Sequence, residues 1–563
     1  MKKDLYLLVA LMTLVSFFSL VACQKEGDGK ILFTATIETP STQSKTSITN
    51  TGVMTWLNGD QIAVFDNGGS GVVSHLTATP TGNHKTADFT LVSGYEEPSD
   101  GPYYAIYPAS IATAYKTITL PTEYTYDDSR FDAPMYAYST NNKLVFKNLC
   151  GVMQLNLTTN RSINSIVITT DQAITGEFCL DYNGGSPNMI TTLNNNSNTL
   201  TINFDNSVDC SGTGQSFYVY LPIGNYGEMS ITFYATDATY CTKTLQSGQT
   251  FIVGRNTLNP LNFNNPQFRP IGSKGGLFTI NENGDQVWFS QGNMQYKAST
   301  NIWRFAEHQY DFVGDATLGN VYENGVKCNN AYISSNYSGW IDLFGWGTSG
   351  WNSGANAYRP YSNMGTSNND YWPGGSYENG LTGEYAEADW AWHNCIQNAG
   401  NIAHTWRTLS VHEWCYLILT RTDAELKYGT GNVNGIGGLI ILPDDWVLPT
   451  GCSFTPGVIS KSPFAAASSN DWTLNNYTLL QWEKMEAAGA IFLPASGYRI
   501  GLNVPDVGID GMYWSTTPFL GTIGYEHGRA AHFLLIYGNS VGPNTIGYGR
   551  SYGFSVRPIR DNI

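Results

Sequence analysis

The segment Trp340-Ile-Asp-Leu-Phe-Gly-Trp-Gly-Thr-Ser-Gly-Trp351 places three tryptophans, one phenylalanine and three glycines within twelve residues. So much rigid aromatic surface beside so many glycines predicts a compact, loop-rich core rather than a long helix or a plain sheet. Of the fifteen tryptophans in the chain, only Trp56 lies before residue 280. The second half is therefore predicted to be a different kind of domain from the first.

The totals of the chain restrict the class of protein. A chain of 563 residues is too long for one core and predicts three or four domains. Charged residues make up 13% of the chain, and the formal net charge is −16. This composition is typical of an extracellular β-rich protein. The acidic balance argues against nucleic acid and anionic lipid, because both need a basic surface.

The N-terminus has the pattern of an export signal. Two lysines precede an uncharged apolar run that ends at residue 22, which predicts a signal peptide over residues 1–22. The sequence Leu20-Val-Ala-Cys23 resembles the bacterial lipobox, which implies cleavage before Cys23 and a lipid on its thiol. The alternative is an ordinary signal with a chance cysteine. Residues 23–30 are a polar tether, and no later segment is apolar enough to span a bilayer.

The other eight cysteines fall four in each half of the chain. An oxidising compartment permits pairing within each half, and buried free thiols are an equal alternative. No CxxC motif or cysteine–histidine cluster indicates a metal, so we predict neither a metal nor a cofactor. The eight are Cys150, Cys179, Cys210, Cys241, Cys328, Cys395, Cys415 and Cys452.

Residues 31–265 alternate between short strand patterns and turns rich in Gly, Asn, Pro and Asp. This stretch contains no convincing helix. Strands at this spacing predict two successive β-sandwiches, over residues 31–157 and 158–265. The predicted strands include residues 31–37, 61–65, 146–157, 163–170, 216–221 and 229–234.

Four motifs in this half occur in order: residues 56–65 (WLNGDQIAVF), 103–108 (YYAIYP), 134–137 (PMYA) and 146–157 (FKNLCGVMQLNL). Behind a lipobox, this ordered set resembles the fimbrillin (Mfa-like) family of Bacteroidales surface lipoproteins. The resemblance covers about residues 31–265. It implies that the all-β N-terminal half consists of two transthyretin-like β-sandwiches.

The fimbrillin resemblance also implies partners. In pilus-forming members a protease removes the first strand, and a strand of the next subunit fills the vacated groove by donor-strand exchange. The cut often follows an arginine, but the first arginine here is Arg130, so only Lys25, Lys30 or Lys45 lies near the expected place. We take Lys45 as the candidate processing residue. A domain after the second sandwich is typical of a tip or accessory subunit rather than a stalk repeat.

Residues 266–274 are predicted to be a linker, followed by an α+β domain over residues 275–563. The clearest helix is predicted over residues 408–421, because Ser410 and Glu413 have the spacing of a capping box before an amphipathic run. A shorter helix is predicted over residues 480–488. The predicted strands are 278–280 and 286–290, as a hairpin, then 439–442, 490–493, 512–515, 531–536 and 553–557.

The order of these elements resembles the C-type-lectin-like domains of bacterial surface proteins, of the Fibrobacter succinogenes major paralogous type. The resemblance covers most of residues 285–560 and implies that the first and last strands pair and close the domain. The motifs that carry it are Trp406-Arg407, Glu413-Trp414, and residues 442–446, 513–517 and 552–558.

Catalytic motifs are absent from the sequence. The same fold includes the formylglycine-generating enzymes, which use a cysteine pair near the C-terminus, but no cysteine follows Cys452. There is no GxSxG, HExxH or P-loop. His404, His412, His527 and His532 are interpreted as surface or strand residues. The sugar-binding motifs Glu-Pro-Asn, Gln-Pro-Asp and Trp-Asn-Asp do not occur, so a calcium-bridged sugar site is not supported.

A binding surface is still predicted in the second half. Aromatic residues in a Gly/Asn-rich insertion could stack on a sugar or anchor a protein partner; the alternative is that they fill the core. A second set of candidates flanks the strand at residues 512–515. The candidate ligand-binding residues are Tyr371, Trp372, Tyr385, Trp390 and Trp392, with Tyr377 beside them, and Asp506, Asp510, Tyr525 and Arg529.

The sequence therefore predicts an exported, non-enzymatic lipoprotein of the outer membrane and cell surface. Its predicted role is adhesion, as a fimbrial tip or accessory subunit whose head binds a glycan or a surface protein. One alternative is a monomeric glycan-binding lipoprotein that never joins a pilus. The other is an enzyme with an unrecognised site in the second half.

Overall fold

The computed structural model describes residues 31–38, 54–69, 73–183, 186–191, 195–245, 248–332, 334–351, 371–458, 472–523, 526–527 and 530–562. The chain forms two compact units. The first runs to residue 267 without residues 238–240, and the second comprises those three residues and the chain from residue 268. The predicted signal peptide and tether, with Cys23, and the candidate processing residue Lys45 lie outside the described residues.

The first unit is built from strands and, within the described residues, has no α-helix. Two single 3₁₀ turns, Asn67–Gly69 and Ala109–Ile111, interrupt them. The prediction of an all-β first half is thus confirmed. The strands are β1 (Phe33–Ile37), β2 (Gln61–Phe65), β3 (Val73–Thr81), β4 (Thr86–Leu91), β5 (Tyr103–Tyr107), β6 (Ala112–Ala114), β7 (Thr117–Leu120), β8 (Glu123–Thr125), β9 (Met135–Ser139), β10 (Lys143–Asn148), β11 (Cys150–Thr158), β12 (Ser162–Thr170), β13 (Gly176–Asn183), β14 (Ser186–Thr191), β15 (Thr199–Asp209), β16 (Gln215–Pro222), β17 (Gly224–Tyr226), β18 (Met229–Ala235), β19 (Thr239–Thr244), β20 (Phe251–Val253) and β21 (Leu258–Asn264).

Seven of these strands close into a barrel in the order β1-β10-β9-β5-β2-β3-β4. β1 completes the circuit, because it pairs in parallel with β10 on one side and antiparallel with β4 on the other. Its residues Phe33, Ala35 and Ile37 are buried in a core where Trp56 packs edge-on against Phe146. The sequence predicted a sandwich of two separate sheets here. The structure instead has a closed barrel, in which β1 is hydrogen-bonded on both sides and no strand is left at a sheet edge.

The chain leaves the barrel at the end of β10. Leu149 bonds through its backbone N–H to Pro134, and β11 then pairs with β16 and β21. The single strand predicted over residues 146–157 is therefore two strands in different sheets. Two strands that precede β10 in sequence also pair outside the barrel: β7 pairs with β13, and β8 pairs with β15. The barrel and the remaining sheets thus do not correspond to two consecutive stretches of chain, unlike the two predicted sandwiches.

The second unit has shorter elements and longer connections. The α-helices of its described residues are α1 (Trp390–His393), α2 (Val411–Cys415), which continues as a π-helical turn over Tyr416–Thr420, and α3 (Leu479–Ala487). Short 3₁₀ helices occur at Pro373–Gly375, Gly383–Ala388 and Ala424–Leu426. Its strands are β22 (Arg269–Pro270), β23 (Ser273–Thr279), β24 (Gln286–Ser290), β25 (Met294–Lys297), β26 (Ile302–Phe305), β27 (Tyr322–Glu323), β28 (Val326–Lys327), β29 (Tyr428–Val433), β30 (Ile436–Ile441), β31 (Asn476–Tyr477), β32 (Ile491–Pro494), β33 (Gly511–Pro518), β34 (Thr522–Ile523), β35 (Glu526–His527), β36 (Ala531–Tyr537), β37 (Ser540–Thr545) and β38 (Ile559–Asp561).

Most local predictions for this unit are confirmed. Both predicted helices form, and the capping box of Ser410 and Glu413 is present. Residues 266–274, predicted as a linker, instead contain β22 and the start of β23. Residues 553–557 form isolated bridges rather than a strand. The last strand, β38, pairs with β24, the second strand of the opening hairpin, where the lectin-like resemblance implied a pair of first and last strands.

The aromatic segment 340–351 lies in loops at the centre of the second unit. Phe344 and Trp346 are buried in one cluster with Trp390, Trp514 and Phe554. The Trp514 indole N–H donates to the carbonyl of Phe344 over 2.7 Å. This side chain therefore both fills the core and satisfies a carbonyl of the loop backbone. The prediction of a loop-rich aromatic core is confirmed.

The eight described cysteines are all free thiols. They therefore do not form the disulfides that an oxidising compartment would permit within each half of the chain. Across the described ranges, no three His, Cys, Asp or Glu side chains are grouped closely enough to hold a metal ion. The helices of the described segments are all too short or too polar to cross a membrane.

Candidate ligand-binding cleft

A cleft of about 500 Å³ opens on the surface of the second unit. Its volume lies within the range of small-molecule sites, which combine an apolar surface with a few polar groups. The segment around α1 forms one wall, and the segment leading into α2 forms the other. The lining residues are Leu381, Thr382, Gly383, Ala386, Asp389, Trp392, Arg407, Thr408, Ser410, Glu413 and Thr516.

The short helix α1 presents Trp392 to the cleft. Asp389 is its N-cap and accepts a hydrogen bond from the backbone N–H of Ala391. Residues two apart on a helix point about 200° away from each other. Trp390 accordingly turns into the core, where its indole N–H donates to Thr348, while Trp392 stays half-buried at the cleft. One ring therefore supports the domain, and the other is available to a ligand.

Asp389 also joins the two walls of the cleft. Its carboxylate accepts hydrogen bonds from the backbone N–H and the hydroxyl of Thr408, over 2.6 and 2.8 Å. The side chain is 1% exposed, and this burial raises the pKa of Asp389 to about 6 against the opposing effect of its hydrogen bonds. A carboxylate that bonds both walls positions Trp392 relative to Thr408.

Arg407 and Glu413 form the polar floor of the cleft. The guanidinium of Arg407 lies 2.8 Å from Glu413 and 2.7 Å from Asp561. Glu413 also accepts the backbone N–H of Ser410 over 2.6 Å as part of the capping box. The floor is therefore a fixed network, because each charged group has a partner of opposite charge.

Two histidines meet one carboxylate beside Trp392. The oxygens of Glu387 lie 2.7 Å from His393 Nδ1 and 2.7 Å from His404 Nε2. These contacts, first the hydrogen bond of His393, lower the pKa of Glu387. The ring of His404 packs against Trp392 with centroids 5.3 Å apart. His404, held by Glu387, thus supports the Trp392 ring.

The structure separates the other aromatic candidates into core and surface. Tyr371 is 4% exposed and Trp390 is 0% exposed, so these two rings lie in the core, which is the alternative that the sequence left open for them. A buried ring has no free face to offer. Trp372 and Tyr377 are half-buried and pack edge-on against each other, and Tyr385 packs against Trp351. Among the predicted site residues that the structure describes, Trp392 is the one that lines the cleft.

Two members of the second group of candidates lie elsewhere. Asp506 and Asp510 immediately precede β33, outside the cleft lining. Asp510 is buried, and burial together with the charge of Asp506 raises its pKa to about 7. Tyr525 and Arg529 lie outside the described residues. Of this group, the described members Asp506 and Asp510 therefore do not share the cleft with Trp392.

Sequence reasoning did not select Asp389, Arg407, Thr408, Ser410 or Glu413 as ligand-binding residues. One signal was present, because the capping box placed Ser410 and Glu413 at the start of a helix. Nothing local indicated that the turn at Asp389 would meet this helix start across a cleft.

Comparisons with known proteins give weak structural likenesses. No protein-family model matches the chain, and no curated protein matches it. A fimbrial protein of Bacteroides ovatus is similar at 12% identity and a TM-score of 0.20, covering 93% of this chain and 97% of its own. A protein of the same species described as a cell adhesion protein shows 12% identity and a TM-score of 0.28, covering 43% and 95%. The C-terminally truncated tip fimbrial protein Mfa3 of Porphyromonas gingivalis shows 11% identity and a TM-score of 0.18, covering 39% and 83%.

Proposed function

We propose that this chain is a cell-surface adhesion protein whose second unit binds a glycan in the Trp392 cleft, without covalent chemistry. One observation carries the proposal: a half-buried indole stands at a cleft of about 500 Å³ opposite a floor of carboxylates, hydroxyls and a guanidinium. The apolar C–H face of a sugar ring packs on an aromatic face. Its hydroxyls then need hydrogen-bonding partners of the kind found on the floor.

The test compares two half-buried tryptophans of the same unit. Trp392→Ala should weaken binding of the full chain to glycans on an array by about 5- to 150-fold, as for a contact of 1–3 kcal/mol. Trp372→Ala removes a ring outside the cleft lining and should leave binding unchanged. Both variants should keep the melting temperature within a few degrees. Equal binding by Trp392→Ala and the wild type would refute the cleft as the glycan site.

A second function, assembly with other fimbrial subunits, is favoured by the position of β1. This strand fills a slot between β10 and β4 and buries Phe33, Ala35 and Ile37. Removing it would expose two unpaired strand edges and an apolar groove, which stay soluble only if another strand enters. Cleavage after Lys45 would release β1, and this fits the donor-strand exchange of the fimbrillins.

The proposal includes export as a lipoprotein held to the outer membrane through Cys23. It also assigns the first unit to the fimbrillin-like modules and the second to the C-type-lectin-like domains, on the motifs of each half. Cys23→Ala should release the protein from the membrane fraction. Retention there, with no acyl label on the wild type, would contradict the anchor.

The assembly proposal is tested by deleting residues 24–45. The shortened chain should oligomerise or bind a peptide copy of residues 31–38, whereas a copy with the buried positions changed to Asp should not bind. A deletion variant that stays monomeric and fully stable would favour a glycan-binding lipoprotein that never joins a pilus.

A further inference from the structure

We infer that the Trp392 cleft selects uncharged sugars and rejects acidic ones such as sialylated or sulfated glycans. This inference rests on the proposed glycan binding and specifies the chemical class of the ligand. It follows from the charges that face the cleft and from the hydrogen-bonding positions that remain open on them.

Arg407 is the single cation among the described residues of the lining, and most of its donors are already occupied. Nε and Nη2 of Arg407 donate to the carboxylate of Asp561, with distances between 2.7 and 3.2 Å. Nη1 donates to Glu413 over 3.1 Å, and Nη2 lies 2.8 Å from the other oxygen of Glu413. Four of the five guanidinium N–H groups are therefore bonded to carboxylates of the protein, and one N–H on Nη1 remains. An acidic ligand would have to displace a protein carboxylate to form the two-donor contact that a carboxylate or sulfate makes with a guanidinium.

Negative charge exceeds positive charge at the cleft. Asp389 and Glu413 line it, and Asp561 stands behind Arg407, so three carboxylates face one guanidinium. Like charges brought into a partly buried site repel more strongly than in water. A carboxylate or sulfate of a ligand would therefore enter against a net negative potential.

The remaining bonding capacity suits hydroxyl groups. An ionised carboxylate has about four acceptor positions. Asp389 uses three of them, for Ala391 and twice for Thr408. Glu413 also uses three, for Ser410 and twice for Arg407. Each carboxylate thus retains about one acceptor position. Asp389 is buried, so the position open to a ligand is that of Glu413, which a sugar hydroxyl or an N-acetyl N–H can fill and an acidic group cannot.

The experiment measures binding of the full chain to paired oligosaccharides ending in galactose, glucose, mannose or N-acetylhexosamine. Each neutral member is matched with its sialylated or sulfated derivative. We expect the acidic member of a bound pair to bind at least tenfold more weakly at 0.15 M salt. The ratio should shrink at 0.5 M salt, because added ions screen the repulsion.

A charge variant tests the cause. Asp561→Asn removes one carboxylate and releases donors of Arg407, so the ratio of neutral to acidic affinity should fall at least threefold. The control Asp285→Asn removes an exposed carboxylate of the same unit that lies outside the lining, and it should leave the ratio unchanged. A ratio that Asp561→Asn does not alter would overturn the assignment of selectivity to this network.

The outcomes separate this inference from the proposed function. Equal or tighter binding of the acidic member overturns the inference and leaves glycan binding standing. Absence of binding to every neutral and acidic glycan overturns both.

Discussion

The two units satisfy their buried backbone groups in different ways. In the first unit, β1 forms backbone hydrogen bonds with β10 and β4. Because the strands of the closed barrel satisfy one another's backbone groups in this way, the buried side chains have only to pack against each other. In the second unit, loops cross the core. Side chains there form the hydrogen bonds to loop backbone groups that no neighbouring strand supplies. Arg550 alone donates to the carbonyls of Ala530, Tyr371 and Tyr377.

This difference shows what a loop-rich core requires. Every buried carbonyl needs a donor, and without a neighbouring strand the donor must come from a side chain. Burial lowers the pKa of Arg550 to about 9, which indicates how strongly the site disfavours its charge. The hydrogen bonds to three carbonyls and the contact with the face of Trp346, 4.3 Å away, compensate for the water that the Arg550 guanidinium loses on burial.

The largest effect is expected where an aromatic ring fills the core of the second unit. Trp390→Ala should lower the free energy of unfolding by about 3–5 kcal/mol, because it leaves a cavity. Its matched control Trp392→Ala removes a ring at the cleft and should cost about 1 kcal/mol or less. Urea unfolding followed by tryptophan fluorescence reports on this unit, since only Trp56 lies in the other. Equal losses for the two variants would contradict the division into core and cleft rings.

The next effect probes the polar support of the loops. Arg550→Met should cost about 2–4 kcal/mol, since three buried carbonyls lose their donor. Lys143→Met changes an exposed cation on the barrel of the first unit and should alter stability by about 0.5 kcal/mol or less. Chemical denaturation of both variants provides the comparison. A loss for Arg550→Met as small as that of the control would remove the contrast between the units.

The pH dependence of stability sharpens the same contrast. The pKa of Asp389 is about 6 in the folded chain and 3.8 in the reference state. The folded state therefore binds the proton more tightly, and the free energy of unfolding falls as pH rises from 4 to 6. Asp389→Asn should abolish this contribution, on the order of 2 kcal/mol.

The control for Asp389 lies in the first unit. Hydrogen bonds from Ser129 lower the pKa of Asp127, so its contribution to stability is present above the unfolded pKa and is lost as pH falls. Asp127→Asn should change the slope of unfolding free energy against pH in the opposite direction. Identical slopes for the wild type and Asp389→Asn between pH 4 and 6 would contradict the role of burial.

The smallest effect concerns helix caps, which matter only in the second unit within the described residues. Ser410→Ala should cost about 1 kcal/mol, because the side chain accepts the backbone N–H of Glu413. Ser410→Gly should cost only a few tenths. Thr478→Ala removes the equivalent cap of α3 and should match Ser410→Ala. Thermal melts that show no change for either alanine variant would mean that these caps do not limit stability.

The sequence by itself determined the features that depend on neighbours along the chain. Alternating residues predicted strands such as β12 and β18, the spacing of Ser410 and Glu413 predicted a helix start, and the composition of residues 340–351 predicted an aromatic, loop-rich core. These signals are local because backbone conformation and side-chain periodicity repeat every two or 3.6 residues.

Only the tertiary structure decided what meets across the chain. The closure of the barrel by β1, the pairing of β7 and β8 with strands far along the sequence, and the meeting of Asp389 with Thr408 depend on partners that no local pattern specifies. The same holds for Trp390 and Trp392. Composition treats the two rings alike, and the orientation of one helical turn against the core buries the first and leaves the second at the cleft.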